Sequence, residues 1–270
     1  MDRTDREISS ALSLAIESNL AVALATVIDG AAVGAKLLVF ADAARGADLG
    51  SLGNPELTRV VARDARGELA AGRSVTRHYG AQGQARQTEL TVFIESFAPP
   101  PEMWIFGAVD FTGALVGIAR NLGYRVTVCD ARPIFATRER FPDAHELVNL
   151  WPHELLEQQG DRLGERDAIC VLTHDPKFDV PAVQAALETR VGYIGCMGSR
   201  RTHEERNRRL IEAGADPIQL QRVMSPIGLD LGARSPAETA ISICAEIIAL
   251  RYGRPVRSLR DTRGSIHGES

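Results

Sequence analysis

The chain has 270 residues, which is enough for one large domain or two modest ones. Its formal net charge is -4, so it has no global basic field, and we expect no nucleic-acid partner. No apolar run reaches the length of a membrane span, and the polar start lacks a signal-peptide core, so we expect no membrane association. Four widely spaced cysteines without a C-x-x-C pair indicate reduced thiols and a cytoplasmic setting.

Residues 1–97 have the pattern of a small α+β domain. Hydrophobic spacing predicts a helix, a hairpin, a second helix and a second hairpin, over residues 5–18, 20–40, 54–70 and 73–97. Asp29-Gly30 is the turn pair expected in the first hairpin, and Asn54-Pro55 is expected to cap and begin the second helix.

The three prolines at 99–101 favour a stiff, extended segment. Because hairpins precede them and alternating strands and helices follow, we predict that residues 98–102 link two domains. A loop inside one domain is the alternative. The second domain would cover residues 103–255, and the polar residues 256–270 are predicted to form a disordered tail.

Residues 103–130 show the layout of a Rossmann βαβ unit. A short apolar strand leads to Gly107, a helical pattern follows, and a second strand ends at Asp130. Asp130 holds the position at which dinucleotide-binding proteins keep the acid that contacts the ribose. The whole chain is therefore predicted to be α/β, with a C-terminal Rossmann-like parallel sheet preceded by a smaller α+β domain.

The glycine fingerprint of this unit is incomplete. In the alignment to G-x-G-x-x-G, Gly107 is the first glycine, but Val109 and Thr112 replace the second and third. A branched side chain at the second position hinders the approach of a pyrophosphate, and Asp110 adds negative charge at the helix N-terminus. The pattern favours the fold more strongly than NAD binding.

Four candidate site stretches lie at predicted strand ends, where open parallel sheets bind ligands: residues 107–110, 173–179, 195–201 and 226–234. In the third stretch, small residues and a helix N-terminus precede two arginines, a combination suited to a phosphate. The candidate ligand-binding residues there are Gly195, Met197, Gly198, Ser199, Arg200 and Arg201. An ordinary turn with a solvated arginine pair is the alternative, and we favour the anion site.

In residues 173–179, Thr173, His174 and Asp175 are candidates for recognising a polar heterocycle. Alternatively, Asp179 caps a helix that starts near Pro181 and His174 packs against backbone. No further histidine completes a metal-ligand set, so no metal site is predicted. No catalytic residue is assigned either.

Two further features leave alternatives open. Pro226 and Gly228 belong to a loop that could close the ligand cleft, or the loop could serve only an Asp230–Arg234 pair. Cys196 precedes a helix N-terminus beside two arginines, which would lower the pKa of its thiol, but we favour a small buried residue.

The chain resembles the xanthine dehydrogenase accessory protein family, the XdhC/CoxI family. The resemblance covers nearly the whole chain and is most specific in four segments, residues 124–133, 172–179, 192–201 and 226–241. It departs from the family pattern at Val109 and in the shortened Gly-rich turn of residues 50–54.

The resemblance implies a cytoplasmic factor that binds molybdenum cofactor (molybdopterin), protects it during sulfuration by a cysteine desulfurase, and passes it to a molybdenum hydroxylase client. The terminal phosphate of molybdopterin matches the anion site argued above. The resemblance thus implies a non-catalytic chaperone, with an NAD(P)-dependent oxidoreductase as the rival interpretation. A homodimer is also possible, because the apolar C-terminal helix could cover the sheet or form a dimer seam.

Overall fold

The computed structural model describes residues 3–41, 46–84 and 87–262, and it divides them into two compact units at Pro99 and Pro100. Each unit is described by itself. The last eight residues of the expected tail lie outside the described residues, and the part before them contains the short 3-10 turn Leu259–Asp261. In the described part of the chain, no helix combines the length and apolar character needed to span a bilayer.

The described residues of the first unit form a five-stranded antiparallel sheet with two helices. Its elements are α1 (Arg3–Glu17), β1 (Val22–Asp29), β2 (Lys36–Phe40), β3 (Leu49–Gly50), α2 (Pro55–Ala71), β4 (Val75–Tyr79) and β5 (Leu90–Phe97). The strand order is β3-β2-β1-β5-β4. Alternate residues of the strands point to opposite faces. Ala23 and Val39 pack in the cluster that holds α2, whereas Val22 and Leu38 pack in the cluster that holds α1.

The first hairpin is present, but the prediction of a tight Asp29-Gly30 turn is wrong. Asp29 belongs to β1 because it pairs with Thr91 on β5, so the connection to β2 occupies residues 30–35. The prediction that Asn54 caps α2 is confirmed: Asn54 Oδ1 accepts hydrogen bonds from the backbone N–H of Glu56 at 2.8 Å and of Leu57 at 3.3 Å.

The second unit is a parallel sheet of six strands in the order β8-β7-β6-β9-β10-β11. Its strands are β6 (Glu102–Phe106), β7 (Arg125–Cys129), β8 (Glu146–Val148), β9 (Ala168–Val171), β10 (Tyr193–Cys196) and β11 (Val223–Met224). Its helices are α3 (Asp110–Asn121), α4 (Pro152–Gln159), α5 (Pro176–Leu187), α6 (Arg200–Glu212) and α7 (Pro236–Arg251). Counted from β6, this is the Rossmann strand order 3-2-1-4-5-6, which confirms the predicted fold class.

The sheet of the second unit is covered on both faces, which explains its continuous apolar strands. In β6, Met103 and Ile105 lie in the core cluster that includes residues of α3 and α7, while Trp104 and Phe106 lie in the cluster that includes residues of α4, α5 and α6. The apolar C-terminal helix therefore covers the sheet with one side.

Two element boundaries differ from the prediction. Helix α5 begins at Pro176, because Asp175 caps it and accepts a hydrogen bond from the backbone N–H of Lys177, so Pro181 lies inside the helix. The hydrophobic pattern of residues 222–227 predicts a sixth strand, but only Val223–Met224 pairs with β10, since a 3-10 turn precedes it.

Candidate functional site

The loops that follow β6, β7, β9, β10 and β11 all leave the carboxyl edge of the parallel sheet, where Rossmann folds bind ligands. The strand order reverses between β6 and β9, so the turn after β6 and the loop after β9 flank the switch point. Gly107 has φ +106°, and a Cβ atom there would lie 2.5 Å from Thr173 Cγ2. The glycine is therefore needed for the close approach of these two loops.

The side chain of Thr112 closes the turn after β6. Its hydroxyl donates to the carbonyl of Gly107 at 2.6 Å and accepts from the backbone N–H of Val109 at 3.2 Å. The backbone N–H of Ala108 donates to Asp130 Oδ2 at 2.8 Å. Two amides that could face a pyrophosphate thus already have acceptors within the protein, while Asp110 is exposed in the first turn of α3.

Asp130 is buried, and four hydrogen bonds fill its carboxylate. Oδ1 accepts from Arg132 N and Nε, both at 3.0 Å, and Oδ2 accepts from Arg132 Nη2 at 2.9 Å and from Ala108 N. Burial acts to raise the pKa of Asp130, but these hydrogen bonds outweigh it and the pKa lies below its ordinary value. A carboxylate has about four acceptor positions, so none remains for a ribose hydroxyl.

A buried ion pair joins the loops after β9, β10 and β11. The guanidinium of Arg206, on α6, donates to Asp179 Oδ2 at 2.9 Å, to the carbonyl of Met197 at 2.8 Å and to Ser225 Oγ at 3.1 Å. The hydroxyl of Thr173 donates to Asp179 Oδ1. Both side chains of the ion pair are almost completely buried. We call these five residues the Arg206 network.

Sequence reasoning missed Arg206, although a signal was present. The residue lies four positions before Leu210, the buried leucine of α6, so helical spacing places both on the inner face. The suggestion that Asp179 caps a helix is wrong, because Asp179 lies within α5 and is held by the Arg206 network. Burial raises the pKa of Asp179 above its ordinary value despite the hydrogen bonds from Thr173 and Arg206.

The network leaves little of the loop after β9 free for a ligand. The hydroxyl of Thr173 is committed to Asp179, and Asp175 is committed to the cap of α5. His174 is exposed and forms no hydrogen bond with a residue that the structure describes. Of the three predicted residues in this loop, His174 is therefore the one whose side chain is available.

The turn between β10 and α6 retains the features expected of an anion site. Ser199 caps α6, accepting from the backbone N–H of Thr202 at 3.2 Å, and Gly198 has φ +144°. Arg200 and Arg201 are exposed, and neither forms an ion pair or hydrogen bond with a described residue. Among the α-helices within residues 100–262, all of which the structure describes, α6 is the one without an acidic residue in its first turn.

Cys196 is buried in the strand that leads to this turn. Burial raises the pKa of its thiol to about 12, although Arg206 nearby acts in the opposite direction. The expectation of a lowered pKa is therefore wrong, and Cys196 is the small buried residue that we favoured.

Gly195 and Gly228 have packing reasons for lacking a side chain. A Cβ atom on Gly195 would lie 2.5 Å from Ile227 Cδ1, and one on Gly228 would lie 2.5 Å from Ser242 Oγ. Pro226 is exposed and borders a cavity of about 590 Å³, together with His203, Asn207, Met224 and Glu246.

The Asp230–Arg234 pair, which was one of the two alternatives for the loop before α7, is absent from that loop, which the structure describes throughout. Instead, the Glu238 carboxylate accepts from the backbone N–H of Arg234 at 2.8 Å and of Ser235 at 2.9 Å, which completes a capping box for α7. In the described part of the chain, no group of three or more His, Cys, Asp or Glu side chains is arranged to hold a metal ion.

The strand order and the loops at its carboxyl edge define a protein of the Rossmann class. Residues 103–247, more than half of the chain, match the XdhC Rossmann domain, and residues 15–80 match the XdhC and CoxI family. The chain therefore belongs to the XdhC and CoxI family, as the resemblance predicted.

Curated relatives extend this comparison. The chain is 32% identical over 160 residues to a probable xanthine dehydrogenase subunit from Bacillus subtilis (strain 168), covering 59% of this chain and 46% of that protein. It is 26% identical over 162 residues to the molybdenum cofactor insertion chaperone PaoD of Escherichia coli (strain K12), covering 60% and 44% respectively. The chain thus matches less than half the length of these relatives.

A solved structure is similar over most of the chain. A xanthine dehydrogenase from Bacillus halodurans has a TM-score of 0.53 and 22% sequence identity, with 94% of this chain and 97% of that chain covered. At this identity the likeness concerns the fold alone.

Proposed function

We propose that this protein binds molybdenum cofactor and delivers it during the maturation of a xanthine dehydrogenase-type molybdenum hydroxylase. Membership of the XdhC and CoxI family and the likeness to a molybdenum cofactor insertion chaperone support this proposal. The observation that carries it is the turn before α6, where a helix N-terminus without an acidic first turn adjoins two arginines that pair with no described residue.

The residues of this turn fit the terminal phosphate of molybdopterin. Backbone amides at a helix N-terminus and guanidinium groups both favour a phosphate, and the two effects add at one place. Arg200, Arg201 and the backbone of Gly198 and Ser199 would hold the phosphate, while His174 supplies a polar side chain from the neighbouring loop. The molybdenum centre, when bound, supplies the redox chemistry of the client enzyme, and this chain provides binding and protection.

The alternative, an NAD(P)-dependent oxidoreductase, has less support. Standard dinucleotide binding needs free amides in the turn after β6 and a free carboxylate at the end of β7. Here Ala108 N and Val109 N have acceptors in the protein, and all four acceptor positions of Asp130 are filled.

A double substitution, Arg200→Ala with Arg201→Ala, tests the proposal. The protein would be purified without oxygen from cells that make molybdenum cofactor, and molybdenum and pterin would be measured per chain. We expect at least a tenfold loss of bound cofactor, because hydrogen bonds to a charged group contribute about 1.5–3 kcal/mol each.

The double variant Arg208→Ala with Arg209→Ala is the matched control. It removes the same charge from the same helix, but these arginines pair with Glu212 and Glu205 in the later turns of α6. Retention of cofactor in the control and its loss in the first variant would support the proposal. Equal cofactor content in both variants and the unaltered protein would exclude the anion site.

The expected partners stay predictions at this stage. They are a molybdenum hydroxylase client, a cysteine desulfurase and a second copy of this chain, in a cytoplasmic setting. Copurification from the native host, followed by identification of the bound proteins, would test each of them.

A further inference from the structure

Four flat side chains form a row along the carboxyl edge of the second unit. The Arg132 guanidinium lies over the ring of Phe135 at 4.3 Å and reaches the ring of Phe178 at 6.0 Å. Phe178 in turn stacks on Trp151, with ring centroids 4.5 Å apart and planes inclined by 18°. We call Phe135, Arg132, Phe178 and Trp151 the aromatic row.

The members of the row come from segments that follow three different strands of the sheet. Arg132 and Phe135 follow β7, Trp151 follows β8, and Phe178 lies in the first turn of α5, which follows β9. The row therefore lies at the edge where ligands bind in this fold and beside the switch point between β6 and β9. None of these four residues was among the predicted site residues.

The row is partly exposed, unlike the aromatic residues of the core. The chain has two tryptophans; Trp104 is completely buried, whereas Trp151 is 38% exposed. The Arg132 side chain is 47% exposed. Part of the aromatic and guanidinium surface of the row is thus open at the carboxyl edge.

Arg132 is also fixed in orientation. Its Nε and Nη2 atoms donate to the buried Asp130 carboxylate, so the plane of the guanidinium is set before any ligand arrives. Its remaining nitrogen, Nη1, donates to none of the residues that the structure describes. The side chain can therefore stack on a ring and donate to a heteroatom at the ring edge.

We propose that the aromatic row binds the flat, fused-ring heterocycle of the ligand that this chain carries. This inference deepens the proposed function and rests on it, since it assigns the ring of the cofactor to a place other than the phosphate turn. A pterin and a purine share the required chemistry, because both have a π-face for stacking and polar edges for hydrogen bonding. Separate titrations with a pterin and with a purine nucleotide distinguish these two ligands.

Tryptophan fluorescence reports directly on the row. The full-length chain would be titrated separately with free pterin and with adenosine monophosphate, and its emission recorded. Stacking on the row is expected to quench Trp151 in a saturable manner, while the emission of buried Trp104 stays constant. The variant Trp151→Phe corrects for light absorbed by the probe, because its remaining emission comes from Trp104 alone.

Arg132→Lys separates stacking from charge. Lysine keeps the positive charge and one hydrogen bond to Asp130, but it lacks the flat guanidinium. We expect it to weaken heterocycle binding by about tenfold, in keeping with the size of stacking and cation–π effects. Calorimetry on Trp151→Phe, which keeps a smaller ring, would show retained binding without the fluorescence signal. Arg208→Lys, on an exposed arginine of α6, is the control for charge-conserving replacement.

The outcomes are distinct from those of the cofactor experiment. Saturable quenching by pterin, weakened in Arg132→Lys, supports the row as the pterin site. Quenching by adenosine monophosphate alone supports the row as a heterocycle site and assigns it to a nucleotide. Absence of saturable quenching by both probes overturns the inference, and cofactor content that still depends on Arg200 and Arg201 would then leave the proposed function intact.

Discussion

At the scale of single residues, Arg206 connects three separate segments of the second unit. Its guanidinium forms hydrogen bonds to Asp179 in α5 and to the loops after β10 and β11, and Asp179 is equally buried. Removing one member of a buried ion pair leaves the other charge without compensation, which costs more than the pair itself contributes. The network is therefore expected to be sensitive to single substitutions and more tolerant of a double one.

We predict that Arg206→Met lowers the free energy of unfolding by about 3–5 kcal/mol, because the Asp179 carboxylate stays buried without a cation. The double variant Arg206→Met with Asp179→Leu should lose less free energy of unfolding, because no uncompensated charge stays buried. Urea unfolding followed by tryptophan emission measures this, since both tryptophans belong to the second unit. Arg209→Met, which breaks an exposed pair with Glu205, should cost at most about 1 kcal/mol. Equal losses in Arg206→Met and Arg209→Met would contradict the prediction.

The network also shows which part of the candidate site could be predicted from the sequence. Strand ends and glycine-rich turns are local signals, so the clustering of residues 107–110, 173–179, 195–201 and 226–234 at one edge could be predicted. The ion pair of Asp179 and Arg206 joins residues that lie 27 positions apart in the sequence, and it depends on how α5 packs against α6. No spacing rule contains that information, so Thr173 was expected to be free when its hydroxyl is already engaged.

At the scale of elements, the turn from β6 to α3 differs from a standard dinucleotide turn in a consistent way. Thr112 takes the place of a glycine and closes the turn with its own hydroxyl. The carboxylate of Asp130 accepts a hydrogen bond from the backbone N–H of Ala108. Gly107 is the fingerprint glycine that remains, because its positive φ and the contact with Thr173 leave no room for a side chain. The turn keeps the geometry of the fold, but its backbone N–H groups donate to acceptors within the protein.

Gly107→Ala is predicted to destabilise the second unit by about 2–5 kcal/mol, from backbone strain at positive φ and from overpacking against Thr173. Gly117→Ala, in the middle of α3, is the matched control. Apart from the neighbouring residues and the backbone of α3 itself, no atom lies within 4 Å of the Cβ position at Gly117, so this change should stabilise the helix by about 0.5–1 kcal/mol. Thermal unfolding of both variants measures the difference. A neutral Gly107→Ala variant would refute the need for glycine there.

Element types were predicted well, whereas several boundaries were not. Periodicity identifies a helix or a strand over many residues, but its end depends on one or two local contacts. Asp175 and Asp179 were both plausible caps for α5, and the hydrogen bond to Lys177 N selects Asp175. Likewise, pairing between Asp29 and Thr91 extends β1 into the turn that was predicted at Asp29-Gly30.

At the scale of the whole molecule, the chain consists of two units with separate cores. The first has antiparallel strands and the second has parallel ones, and each sheet is complete within its unit. That residues 98–102 link two independently folding domains remains a prediction. Because the chain matches less than half the length of its curated relatives, it is compared with parts of those proteins.

We predict that residues 100–270, produced alone, unfold cooperatively. The reason is that all six parallel strands and both core clusters of that sheet lie within these residues. Trp104, which is completely buried, supplies the signal, because its emission shifts to longer wavelength when the core opens. A gradual change with urea, in place of a sigmoidal transition, would show that the fragment depends on the first unit.

The shared guanidinium of Arg206 limits how the site can be re-engineered. Met197 and Ser225 follow different strands and Asp179 lies in α5, yet each supplies an acceptor to the same side chain. A loop transplanted from a relative must therefore bring an acceptor at the matching position, or a buried N–H is left unsatisfied. Chimeras that exchange these segments together, with α6, are the ones expected to keep the edge of the sheet intact.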